Sequence, residues 1–190
     1  MRIRTKWHKK DRVVSVEEKA NTLAFIAWRI AAAMVLNLEN ENFQTDTQQQ
    51  RLDVIKEILA FLISVTDRMV VDQMSLDERQ DLISKMALKL IKVMQENSED
   101  LIGKGDFQGP FIELLNERMN AYAICSWDGD EPGYQYKRDF GDYVARQMGE
   151  KDNKWITTHI IDIEVPQVLE TLTKAKLEMV DGGSTAQLGS

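Results

Sequence analysis

Apolar residues recur at helical spacing along most of the chain, and this pattern predicts an all-α protein. The most apolar stretch is Leu23–Leu36, in which Arg29 is the one charged residue. A helix that is apolar on nearly every side is usually enclosed by other elements, whereas a surface helix carries a single apolar stripe. The sequence therefore predicts a helical bundle of six to seven helices arranged around this central N-terminal helix.

Capping residues set the starts of several predicted helices. Ser15 and Ser75 each precede a glutamate by three residues, which is the pattern of a capping box, and helix 2 is predicted to begin near Thr47. The short connection at Gln73 and Met74 predicts that helices 2 and 3 are antiparallel neighbours. The first five predicted helices cover roughly residues 15–38, 47–72, 75–97, 110–127 and 136–149.

Two stretches between these helices carry particular signals. Asn97–Gly109 contains three glycines and is the predicted hinge, and Pro110 is expected at the first position of helix 4, where its missing N–H costs nothing. Trp155–Val165 is rich in β-branched residues and fits either a strand or a helix. Because no convincing partner strand occurs elsewhere, the sequence favours a helix, and Pro166 is expected to open the last one.

Composition indicates one helical domain at residues 15–180, between a basic arm (1–14) and a disordered tail (181–190). Apolar residues make up 43% of the 190 residues, which is enough for a sizeable core, and three prolines leave room for long helices. Cys125 is the only cysteine, so neither an intrachain disulfide nor a cysteine-based zinc site is possible. This composition favours a cytoplasmic location.

The charge is distributed unevenly. The formal net charge is −7, but residues 1–12 carry six basic residues and one acid. An acidic body opposes binding to nucleic acid, so only the arm, with Trp7 and His8 among its basic residues, is suited to phosphates and bases. A basic start before an apolar run is similar to a secretory signal. Glu17 and Glu18 separate the two parts, and the run is shorter than the about 20 residues of a membrane span, so we expect no membrane insertion.

One loop has the outline of a calcium site. In Asp128–Asp139, acids fall at positions one, three and twelve of the loop and a glycine at position six, so the candidate ligands are Asp128, Asp130 and Asp139. However, Pro132 occupies a ligand position, and an aspartate at position twelve is shorter than the usual glutamate. The sequence therefore favours a polar turn between helices over a metal site, and we expect no bound cofactor.

The sequence supports no particular catalytic chemistry. Cys125 lies late on an apolar-sided helix, where a buried and inert thiol is the usual case. Glu113 and Glu117 lie one turn apart, a spacing that more often marks a solvated face than an acid–base pair. A di-iron bundle requires a histidine three residues after a glutamate, and neither histidine of this chain has that spacing. An enzyme is therefore the less favoured class.

Three functional interpretations stay open at this level. The leading one is a protein–protein interaction or structural module that forms a homodimer, with interface candidates on the back of helix 1: Phe25, Arg29 and Leu36. That apolar face needs cover either from this chain or from a second subunit. The first alternative is a small-ligand-binding protein or enzyme that uses the aromatic residues of the helix 4–helix 5 region: Tyr122, Trp127, Tyr134 and Tyr136. The second alternative is a nucleic-acid-associated protein that uses the arm.

Overall fold

The computed structural model describes residues 14–43, 45–148 and 153–181, and in these parts the protein is a helical bundle. The predicted all-α class is confirmed. The helices are α1 (Val16–Asn40), α2 (Gln48–Met69), α3 (Leu76–Ile102), α4 (Gln108–Ala123), α5 (Tyr134–Gln147), α6 (Asn153–His159) and α7 (Val165–Asp181). A π-helical turn, Ile160–Glu164, joins α6 to α7 without a break, so the described chain forms six helical rods. The predicted arm lies outside the described residues except for Val14, and so does the predicted tail beyond Asp181.

The predicted helix starts are confirmed where capping residues signalled them. Ser15 and Ser75 both form complete capping boxes, and the Thr47 hydroxyl accepts from the backbone N–H of Gln50 at 3.1 Å. The predicted start of α4 was wrong, because the helix begins two residues before Pro110. A proline is tolerated there because the first backbone N–H groups of a helix have no partner one turn earlier.

Most of the predicted hinge is helical. α3 continues to Ile102, which leaves only residues 103–107 as a loop before α4. The side chain of Gln95 holds this loop, because its Nε2 donates to the Gly105 carbonyl at 2.8 Å and its Oε1 accepts from the Phe107 N–H at 2.8 Å. One amide side chain thus fixes the entry into α4.

The centre of the bundle is α2, and the prediction that Leu23–Leu36 lies there was wrong. Every residue of α2 from Val54 to Thr66 is buried, and this helix packs against α1, α3, α4 and α5. α1 packs against α2, α3 and α7 through a narrow face that includes Ala27 and Ala31, while its opposite face is exposed. The alanines on the packed side of α1 allow the neighbouring helices to approach closely. No described element covers the opposite side.

The ambiguous stretch Trp155–Val165 is helical, as favoured from the sequence. Within it, the backbone N–H of Val165 bonds to the carbonyl of Ile160, five residues earlier, which marks the π-helical turn. Pro166 follows immediately as the second residue of α7, one position later than expected, and α7 continues the same rod. A proline ring crowds the carbonyl four residues before it, and the wider turn falls where that crowding occurs.

A short hairpin replaces the polar turn predicted after α4. Strands β1 (Trp127–Asp128) and β2 (Glu131–Pro132) pair in antiparallel fashion. Gly129 has a φ of 66°, a left-handed backbone that glycine adopts readily. The hairpin brings Trp127 and Asp130 to the end of α2.

Candidate functional site

The four aromatic residues predicted to bind a ligand do not share one surface. Tyr122 and Tyr136 are fully buried and stack on each other, with ring centroids 4.5 Å apart. The Tyr136 hydroxyl donates to the hydroxyl of Ser64. Tyr134 is exposed on the outside of α5, and Trp127 is half-buried on the hairpin. Of the four, only Trp127 lies at the edge of an open cleft.

This cleft has a volume of about 570 Å³ and lies between the C-terminal end of α2, the hairpin and α7. Trp127 and Asp130 line it, together with Arg68 and Arg79. Both arginines are already engaged. Arg68 donates to the Ala123 carbonyl at the end of α4 at 2.8 Å, and the Arg79 Nε lies 3.2 Å from an Asp67 carboxylate oxygen. These cations therefore hold the wall of the cleft together.

The three candidate metal ligands occupy different elements. Asp128 and Asp130 lie on the exposed hairpin, whereas Asp139 on α5 accepts from Gln135 at 2.6 Å and from the Cys125 thiol at 3.6 Å. Burial, together with the carboxylate of Asp139, raises the pKa of Cys125. Across residues 14–43, 45–148 and 153–181, no group of three or more potential ligands has metal-binding geometry.

The interface candidates lie together on the outer face of α1, which we define as Phe25, Arg29, Ala32, Ala33 and Leu36. Phe25 is 62% exposed and Leu36 is 56% exposed, and the other three residues of this face are exposed as well. The Arg29 guanidinium lies 5.8 Å from the centroid of the Phe25 ring. Within the described parts of the chain it has no carboxylate at ion-pair distance. The outer face is therefore an apolar strip with one unpaired cation.

α1 also meets the length and hydropathy criterion for a membrane-spanning helix. Its 25 residues include a window of 18 with a mean hydropathy of 1.4, so by length and composition it is the one helix of the described chain that could cross a membrane. Core helices of soluble proteins and signal sequences meet the same criterion, and 39% of this window is buried inside the bundle.

A buried charge network was missed by the sequence reasoning. The Arg118 guanidinium forms two hydrogen bonds to the fully buried carboxylate of Glu57, at 2.7 and 2.8 Å, and it stacks over the Tyr143 ring at 3.6 Å. Gln147 donates to the same carboxylate at 3.2 Å. The charge on Glu57 raises the pKa of Arg118 against the effect of burial, and burial raises that of Tyr122. The network ties α2, α4 and α5 together.

Glu117, which the sequence placed on a solvated face, lies beside this network. Its side chain is exposed and forms an ion pair with Arg118 at 2.5 Å. Arg118 therefore bridges a buried and an exposed carboxylate. Nothing in the helical spacing marks Glu57 and Arg118 as partners, because they are 61 residues apart on different helices.

A second buried carboxylate lies in the π-helical turn. Glu164 is 2% exposed, and its carboxylate lies 3.3 Å from the Nε2 of His159. Burial raises the pKa of Glu164, and the hydrogen bonds from His159 and Asn37 oppose that rise. The His159 ring packs against Phe43, with centroids 5.2 Å apart. This cluster joins the end of α1 to the last rod.

Comparison with known proteins adds no functional information. No protein-family model, no curated protein and no solved structure matches this chain. Its function is therefore argued from the geometry of its own residues.

Proposed function

We propose that the protein is an interaction module that self-associates through the outer face of α1. The observation that carries this proposal is the exposure of Phe25 and Leu36 on a helix whose other side is packed into the core. Large apolar side chains scattered singly over a surface need no explanation. These two lie on the same strip as two exposed alanines, and such a strip suits a partner helix.

The spacing of the outer face favours a second copy of α1 in antiparallel orientation. Positions 25, 29, 32 and 36 are separated by four, three and four residues, so they lie along one side of the helix. Positions 25 and 36 have the same midpoint as positions 29 and 32. An antiparallel copy therefore places Phe25 opposite Leu36 and Arg29 opposite Ala32, which pairs a large side chain with a small one at the centre.

Arg29 supports this arrangement over a parallel one. In a parallel two-fold pair each residue faces its own copy, so two unpaired guanidinium groups would meet. In the antiparallel pair the aliphatic stem of Arg29 covers Ala32 of the other copy while the guanidinium reaches solvent at the edge. Such an interface is isologous, because the same residues serve both subunits. We include a cytoplasmic location in this proposal, in keeping with the single free thiol of Cys125.

The proposal is tested with charged substitutions on the outer face. We expect Phe25→Glu and Leu36→Glu each to convert a dimer into a monomer of 21.8 kDa, because the antiparallel pair would bury two new carboxylates. Size-exclusion chromatography with light scattering measures the mass.

The matched control is Ile124→Glu, which adds the same charge at an apolar residue that is 90% exposed and lies outside α1. This variant should keep the mass of the unmodified protein. A dimer that survives both α1 substitutions would show that another surface joins the subunits.

A further inference from the structure

A second cavity, with a volume of about 210 Å³, lies at the end of the bundle where α1 and α3 begin, and it shares Met69, Gln73 and Lys176 with the cleft beside Trp127. It is smaller than the ~300–1,000 Å³ pockets that hold drug-sized ligands, so it suits a small molecule. Most of its wall is apolar, and the two methionines in that wall are adaptable side chains that fill irregular space. The apolar residues that line it are Leu23, Met69, Val70, Met74, Leu82 and Leu172.

Three helices line this cavity with the same pair of residue types. On each of α1, α3 and α7, a leucine and a charged residue are four positions apart: Lys19 with Leu23, Glu78 with Leu82, and Lys176 with Leu172. Residues four apart lie one turn from each other on the same face of a helix. The cavity therefore combines three leucines with three charged side chains one turn away from them.

The charges around this cavity leave two cations available. The Glu78 carboxylate is already held by the hydroxyl and the backbone N–H of Ser75, at 2.8 and 3.2 Å. Lys19 is half-buried and forms no direct ion pair in the described parts of the chain. Its charge lies near Glu78, whose pKa is lowered by the Ser75 hydrogen bonds and by Lys19. Lys176 is half-buried too, and among the described residues its ammonium donates to the Met69 carbonyl at 3.4 Å and to no carboxylate. A half-buried ammonium without a carboxylate is stabilised by an anion.

Two uncharged polar side chains, Thr66 and Gln73, also line the wall. The Thr66 hydroxyl donates to the Leu62 carbonyl at 2.7 Å. It therefore offers no donor that would select a polar ligand body. The wall accepts an apolar group, and the two lysines accept a negative charge.

We propose that this cavity binds a small apolar monocarboxylate, with its hydrocarbon part against the leucines and methionines and its carboxylate between Lys19 and Lys176. The opposite charge at the cavity selects an acid over an alcohol or an amine of the same length. This site is independent of the proposed self-association, because Lys19 and Leu23 are the α1 residues that line it and no residue of the outer face does.

Octanoate and 1-octanol test the proposal as a matched pair of probes, because they share the hydrocarbon chain and differ in charge. Isothermal titration calorimetry with the full chain at pH 7 should give a Kd for octanoate below about 1 mM. Octanol should bind at least about tenfold more weakly, which corresponds to the loss of one charge-assisted hydrogen bond.

Lysine variants locate the selectivity. Lys19→Met/Lys176→Met keeps both aliphatic stems and should weaken octanoate binding by about tenfold or more while it leaves octanol binding within about twofold. Lys89→Met removes an exposed lysine elsewhere on α3 and should change neither value. Leu82→Phe fills the cavity and should weaken both probes; if it unfolds the protein, the lysine variants decide alone. Equal binding of the two probes, no binding of octanoate, or octanoate binding that survives the double lysine change would each overturn the proposal.

Discussion

α1 and α2 show that the most apolar helix of a bundle need not be its centre. α1 has one charged residue in the fourteen positions from Leu23 to Leu36, yet one side of it faces solvent. α2 carries Lys56 and Glu57 near its middle, yet every residue from Val54 to Thr66 is buried. The position of a helix depends on how many neighbours surround it and on whether its charges find partners there, and neither is visible in apolar content.

Arg118 and Arg29 differ in the same way as these two helices, because one is buried with a charged partner and the other is exposed. Arg118 is buried, and its guanidinium forms two hydrogen bonds to the carboxylate of Glu57. Arg29 is exposed and lies near the ring of Phe25 without a carboxylate partner in the described structure. Arg118 therefore stabilises the packing of the helices, whereas Arg29 is accessible on the surface.

Removing the buried arginine should have the largest effect. Arg118→Met leaves the Glu57 carboxylate buried and unpaired, and we expect it to lower the free energy of unfolding by about 3–5 kcal/mol. Arg29→Met is the matched control, and at a dilution where the protein is a single chain it should change that free energy by less than about 0.5 kcal/mol, because Arg29 is exposed there. Urea unfolding followed by circular dichroism measures both.

A double variant separates lost pairing from lost packing. Glu57→Leu/Arg118→Met removes both charges, and it should be clearly more stable than Arg118→Met alone, because no unpaired carboxylate remains in the core. A double variant as unstable as the single one would assign the effect to side-chain packing. Equal losses from Arg118→Met and Arg29→Met would contradict the distinction between the two arginines.

Local signals in the sequence were enough to predict the helices but not to predict how the helices pack together. The capping boxes at Ser15 and Ser75 set two helix starts correctly, because capping depends on residues within one turn. The start at Pro110 was wrong because proline is tolerated at several positions of the first turn. The central helix was wrong because burial depends on neighbours far along the chain.

The candidate sites were predictable to an even smaller extent. The helical spacing of Phe25, Arg29 and Leu36 predicts that they share one face of α1. The pairing of Glu57 with Arg118 and the approach of Lys19 to Lys176 at one cavity depend on how distant helices pack. The sequence carries no local trace of either.

The second buried carboxylate predicts a smaller, pH-dependent effect. The pKa of Glu164 is raised by burial, so the folded state favours its protonated form. Stability from this group is therefore greatest below its ordinary pKa of 4.5 and declines as the pH rises through the raised value. Glu164→Gln keeps the hydrogen-bonding shape and should be about 1 kcal/mol more stable than the unmodified protein at pH 7, with a smaller difference at low pH.

Ionisable side chains from α6 and from the end of α1 lie near Glu164. His159 on α6 and Glu41 at the end of α1 lie near its carboxylate. Glu170→Gln is the control on the same rod, because that carboxylate is exposed and pairs with Lys174 on the surface. Urea unfolding between about pH 4 and 8 measures both variants. A stability difference for Glu164→Gln that does not change with pH would contradict the assignment.

The mass of the unmodified protein over a dilution series tests the outer face of α1 most directly. Light scattering between about 100 and 1 μM should give a mass near twice the 21.8 kDa of one chain at the high end. The mass should fall toward the single-chain value on dilution, because association depends on concentration. A mass of 21.8 kDa at every concentration would contradict self-association and leave the outer face of α1 without the partner proposed for it.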